Sequence, residues 1–163
     1  MTIIEPPPSR IYLLRHAHAA QAQSGQKDFD RELDDRGYGE AELTCEKAVD
    51  KGYRPDIILS STAARCQQTA DAMHRAMAGE CILQAIDEIY NGNSDTYLAL
   101  LAGQALSPSV LLVGHNPTIE ETLDRLIGRE QLRSAIPTGY PTAGFAVLDN
   151  TGDAWILSDF IRP

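Results

Sequence analysis

Two apolar runs in this chain each lead to a histidine. Ile11-Tyr12-Leu13-Leu14 is followed by Arg15-His16, and Val110-Leu111-Leu112-Val113 is followed by Gly114-His115-Asn116-Pro117. Short unbroken apolar runs bounded by turn signals read as strands buried on both faces, which requires a sheet covered by helices on either side. In an open α/β sheet, ligands gather in the crevice outside the carboxyl ends of the strands. Both histidines are therefore delivered where a substrate would bind. A third run, Ile57-Ile58-Leu59-Ser60, leads through Ser61 and Thr62 into a helical segment with Arg65 in its first turn. Two histidines and two arginines are expected to share one small volume.

Helical spacing fills the gaps between these strands. Tyr38, Ala41, Cys45, Ala48 and Val49 recur as one face before Gly52, and Cys66, Ala70, Met73 and Met77 do so before Gly79, with Ser61 or Thr62 expected as the N-cap. A short strand over Cys81 to Ile86 precedes the Asn91-Gly92-Asn93 turn and a helix from Ser94 to Ala102. After the second histidine, Asn116 is expected to cap a helix with Pro117 in its first position and Gly128 as its stop. The polar stretch from Ala19 to Arg31 and the segment from Arg129 to Pro141 read as loops. Thr142 to Leu148 and Ala154 to Ser158 read as a hairpin. The alternation predicts a three-layer α/β/α sandwich with a mostly parallel central sheet and an antiparallel edge strand. A single domain over 9–163 is expected behind a flexible leader, 1–8, that ends in Pro6-Pro7-Pro8.

The net charge of −9 disfavours a nucleic-acid partner, because a polyanion would be repelled over most of the surface. The apolar runs fall far short of the roughly 20 residues of a membrane span. Cys45, Cys66 and Cys81 lack metal-ligand spacing, and the N-terminus lacks the plan of a signal peptide. The expectation is a cytoplasmic protein with reduced thiols, no membrane partner, no metal and no cofactor.

Arginine offers a rigid fork of donors that matches phosphate oxygens in pairs. A neutral histidine can attack phosphorus and give a phosphohistidine that water then cleaves. His16 is the expected nucleophile, with its second ring nitrogen held as a donor. Arg15, Arg65 and His115 would bind the phosphate and stabilise charge on its equatorial oxygens.

Arg15-His16-Ala17, the Arg65 that follows Leu59-Ser60-Ser61 and precedes Gln68-Thr69-Ala70, and Gly114-His115-Asn116-Pro117 resemble the motifs of the histidine phosphatase superfamily. That clan contains the phosphoglycerate mutases and acid phosphatases. Leu33-x-x-x-Gly37-x-x-x-Ala41 and the Gly-His-Asn-Pro form are most similar to the short bacterial phosphohistidine phosphatases, and the likeness runs from about Arg10 to Leu148. The resemblance implies a phosphoglycerate mutase-like fold and a metal-independent phosphatase with a covalent intermediate on His16. It implies phosphate held by Arg15, Arg65 and His115, and a substrate that is a phosphohistidine protein in signalling or a small phosphorylated molecule. The family's acid stands in a Glu-x-x-x-Gly pattern that Glu88 to Gly92 matches, so Glu88 is the candidate proton donor.

Two departures bear on the site. Ala17 replaces a common glycine and would be strained if its backbone required a positive φ. His18 stands where an acidic or polar residue is common and is a candidate at the phosphate rim. Two competing readings are a metallohydrolase that uses His16, His18 and His115 as ligands, and a phosphate-recognition module without turnover.

Overall fold

The computed structural model describes residues 8–104 and 107–163. Of the leader expected over 1–8, only Pro8 lies within them, and it is buried. The strands are β1 (Arg10–Arg15), β2 (Ile57–Ser61), β3 (Ile82–Ile86), β4 (Ser109–Gly114), β5 (Phe145–Asn150) and β6 (Trp155–Ile161), forming one sheet in the order β3-β2-β4-β1-β5-β6. β1 to β4 run parallel, and antiparallel pairing is confined to β1 with β5 and β5 with β6. This is the expected three-layer α/β/α sandwich.

The helices are α1 (Asp35–Asp50), α2 (Ala64–Ala76), α3 (Glu88–Asn91), α4 (Ser94–Ala102), α5 (Thr118–Ile127) and α6 (Arg129–Ala135). Side chains alternate along β1, so Ile11 and Leu13 pack into a core with residues of α3 to α6, and Tyr12 and Leu14 into a second core with residues of α1 and α2. β1, β2 and β4 are therefore apolar on both faces.

Register produces the convergence. Arg15 lies opposite Gly114, and the His16 N–H donates to the Gly114 carbonyl at 3.1 Å. Ser60 pairs with Val113, which brings Ser61 to the same end of the sheet. Three sequence-distant loops thus begin at one edge of the core.

Four local expectations are corrected. Ala63 is the N-cap of α2 and makes no side-chain cap, while Ser61 Oγ accepts the Ala63 N–H at 3.2 Å. Pro117 is itself the N-cap of α5, after a cis Asn116–Pro117 bond, so Asn116 does not cap the helix. Arg129–Ala135 is a helix rather than a loop; with Leu132 as its one buried residue, it is too short to show a period. The second hairpin strand reaches Ile161, and Thr142 and Ala143 precede β5 instead of opening it.

Candidate active site

Arg15 ends β1 and His16 follows it, and the Ala143 N–H closes on both their carbonyls at 3.1 and 3.3 Å. Ala143 does this from a left-handed backbone, φ 57°. Ala17 is fully buried and is not among the described non-glycine residues with positive φ, so alanine fits there without strain. Its N–H donates to Thr69 Oγ1 at 3.0 Å, and Thr69 donates in turn to the Arg65 carbonyl at 2.8 Å.

The His16 ring nitrogen Nδ1 lies 2.8 Å from the Ala17 carbonyl oxygen. A carbonyl can only accept, so Nδ1 carries the hydrogen and the neutral ring leaves Nε2 bare. Burial, opposed by the hydrogen bond to the Ala17 carbonyl and then assisted by the neighbouring His115, Arg65 and Arg15, pushes the His16 pKa down to about 3. The ring is neutral at pH 7, the form a nucleophile requires.

His115 sits with its ring 5.5 Å from that of His16, centroid to centroid. Its Nε2 is 2.8 Å from Ser61 Oγ and its Nδ1 is 3.4 Å from Arg65 Nη2. Its backbone N–H donates to Tyr97 Oη at 3.1 Å, and Tyr97 donates to the Ile89 carbonyl at 3.1 Å. Gly114 makes room for this tyrosine, since a Cβ there would stand 2.7 Å from Tyr97 Oη. Burial first, and then Arg65, lower the His115 pKa to about 4.

The two arginines are held differently. Arg15 Nη1 donates to the Tyr140 carbonyl at 2.6 Å, and its Nε is buried without a partner among the described residues. Burial lowers its pKa, and the nearby carboxylates of Glu120 and Glu40 act against this. Arg65 is clamped by Asp28 through Nη1 to the carbonyl at 2.8 Å and Nη2 to Oδ2 at 3.0 Å. Tyr90 Oη donates to the same Oδ2 at 2.7 Å, and the Tyr90 ring lies 5.4 Å from that of His115.

Arg15, His16, Arg65 and His115 are thus brought together. His18 has its Nδ1 on Asp34 Oδ2 at 2.6 Å, its N–H on Glu40 and its carbonyl against the Asp34 N–H. Gly37 is required beside it, because a Cβ at that position would overlap the His18 carbonyl oxygen. Glu88 opens α3 with an exposed side chain that makes no hydrogen bond or ion pair among the described residues.

Sequence reasoning missed Asp28, Ser61, Thr69 and Glu40. Ser61 and Thr69 flank the Arg65 motif and could have been weighed as its supports. Asp28 carried no signal, since its contact with Tyr90 joins residues 62 apart.

The model of the histidine phosphatase superfamily (branch 1) matches residues 11–99. A crystal structure of an Agrobacterium tumefaciens protein, proposed to be the phosphohistidine phosphatase SixA, is 54% identical and superposes with a TM-score of 0.91, covering 96% of this chain and 99% of that one. A second structure with the same proposed identity, from Nakamurella multipartitia, is 31% identical with a TM-score of 0.74, covering 96% and 98%. An uncharacterized chloroplastic protein of Arabidopsis thaliana is 27% identical over 156 residues, 90% of this chain and 68% of that protein. No helix among the described residues is long and apolar enough to cross a membrane.

Proposed function

Since the chain belongs to branch 1 of the histidine phosphatase superfamily, we propose that it dephosphorylates phosphohistidine in a protein through a covalent intermediate on His16, without a metal. The observation that supports this above the others is the state of the His16 ring. Its Nδ1–H is committed to a backbone carbonyl, its Nε2 is bare, and two arginines and a second histidine adjoin it.

His16 Nε2 attacks phosphorus as the P–N bond of the substrate breaks, and that electron pair stays on the leaving nitrogen. With its other ring nitrogen protonated, the substrate histidine departs neutral. His16 becomes a phosphoimidazolium whose Nδ1–H still faces Ala17. Water then attacks phosphorus, the new P–N bond breaks, and phosphate leaves with the protons of water while His16 returns to its neutral form. Arg15, Arg65 and His115 hold the equatorial oxygens. His18 is assigned to the rim. Glu88 is assigned as proton donor for ester substrates, whose leaving oxygen needs a proton that a leaving imidazole does not.

Rapid mixing with a phosphohistidine protein tests this. The native protein should trap acid-labile phosphate on His16, and His16→Ala should trap none and lose at least about a thousandfold in turnover. Turnover should survive a chelator and be blocked by vanadate. Labelling that persists in His16→Ala, or turnover abolished by the chelator, overturns the proposal. Binding of the phosphoprotein without turnover would leave a recognition module instead.

A further inference from the structure

One of the site's two arginines already carries an anion. Arg65 is 7% exposed, and both its terminal nitrogens are engaged by Asp28, through the carbonyl at 2.8 Å and Oδ2 at 3.0 Å. The Nη2 that meets Oδ2 is also the nitrogen 3.4 Å from His115 Nδ1. The Asp28 carboxylate and the candidate phosphate site therefore share a guanidinium nitrogen.

The carboxylate is fixed in place. Tyr90 Oη donates to Oδ2 at 2.7 Å, and Arg31 Nη1 donates to Oδ1 at 3.0 Å. Phe29, next in the chain, packs edge-on against Tyr90 with centroids 5.0 Å apart. The hydrogen bond from Tyr90, against the opposing effect of burial and followed by those from Arg31 and Arg65, holds the Asp28 carboxyl well below the usual range. Among the described residues no carboxylate hydrogen-bonds Arg15, although Glu120 and Glu40 lie near enough to act on its charge.

A fixed negative charge beside Arg65 cancels part of the field that would attract phosphate and repels an arriving dianion. We propose that Asp28 is a specificity-determining residue: it depresses affinity for free phosphate and small phosphate esters, so that productive binding requires contacts from the rest of a phosphorylated protein. This rests on the phosphatase reading of the same site. A phosphoryl group carried on a protein offsets the repulsion with contacts elsewhere on the surface, whereas inorganic phosphate has none to offer. Product release is eased by the same charge.

Asp28→Asn keeps the shape and removes the charge. Inorganic phosphate, measured as a competitive inhibitor and by calorimetry, should bind the variant about tenfold more tightly at low salt, with a smaller gain at high salt. The KM for p-nitrophenyl phosphate should fall in parallel, and the preference for a phosphohistidine protein should narrow. Tyr90→Phe, which loosens the carboxylate, should shift phosphate affinity in the same direction by about threefold. Were Asp28 merely a support for Arg65, both variants would bind phosphate more weakly. Weaker or unchanged binding overturns the inference and leaves the proposed phosphatase intact, because phosphate binding and His16 labelling in the native protein report on that separately. If the native protein neither binds phosphate nor labels at His16, both fall.

Discussion

The centre of the sheet and its β3 edge are built by different rules. In β1, β2 and β4 the apolar side chains are almost entirely withdrawn from solvent; the segments leaving β1 and β4 are tied through the backbone, and the one leaving β2 is tied to them by Ser61 Oγ against His115. At the edge, β3 exposes Ile82 at 65%, and the neighbouring α3 is a single turn with Glu88 in solvent. His16, Ser61 and His115 belong to the centre, whereas Tyr90 and Glu88 come from the periphery, as does Asp28 from the polar arm. A phosphoryl site needs cations and a nucleophile held within fractions of an ångström, and a dense core supplies that rigidity. Discrimination between substrates can be left to short elements on the rim.

The sharpest way to break this comparison is Gly114→Ala. The added methyl meets Tyr97 Oη and Cε2 at 2.7 and 2.9 Å, and Tyr97 bridges the His115 N–H to Ile89. A loss of about 3 kcal/mol is expected in denaturant melts, with a matching fall in phosphohistidine turnover. Stability and turnover near native values would show the centre to be softer than its packing implies.

Acid should expose the same rigidity. Folding holds His16 near pKa 3 and His115 near 4, both below the unfolded value of 6.5. Below about pH 6.5 the unfolded chain binds protons that the folded one refuses. Their contribution is therefore complete above 6.5 and declines as pH falls toward 4 and then 3. A loss of about 4 kcal/mol between pH 7 and 5, roughly half from each ring, is expected from urea unfolding. NMR titration should find both rings still neutral at pH 5, and a midpoint near 6.5 for either would contradict the buried arrangement.

At the periphery the effects should shrink. Glu88→Gln should cost about a hundredfold at most on an ester and leave phosphohistidine turnover within about twofold, as a proton donor for leaving oxygens alone would. Equal losses on both substrates would join Glu88 to the central machinery. Ile82→Ala should change stability by no more than about 0.5 kcal/mol. A larger cost would mean that the β3 edge supports the core.

Legibility in the sequence followed the same division. β1, β2 and β4 announce themselves as apolar runs, and α4 begins and ends where its pattern placed it, Ser94–Ala102. The gathering of Arg15, His16, Arg65 and His115 follows from strands whose carboxyl ends share a crevice, so sequence order alone pointed to it. α6 escaped because seven residues with one buried leucine show no period. Asp28 escaped because nothing near it in the chain announces Arg65, which lies 37 residues away and reaches it only through the fold. Contacts of that kind are set by tertiary packing.

The aim of His16 is governed by the peptide chain. The Ala17 carbonyl orients the ring while its N–H is gripped by Thr69, so no side chain at position 17 takes part in the alignment. What a mutation at 17 can disturb is the space around it. The orientation of Nε2 is therefore inherited with the path of the main chain, and sequence drift can alter the surroundings of the imidazole without turning it.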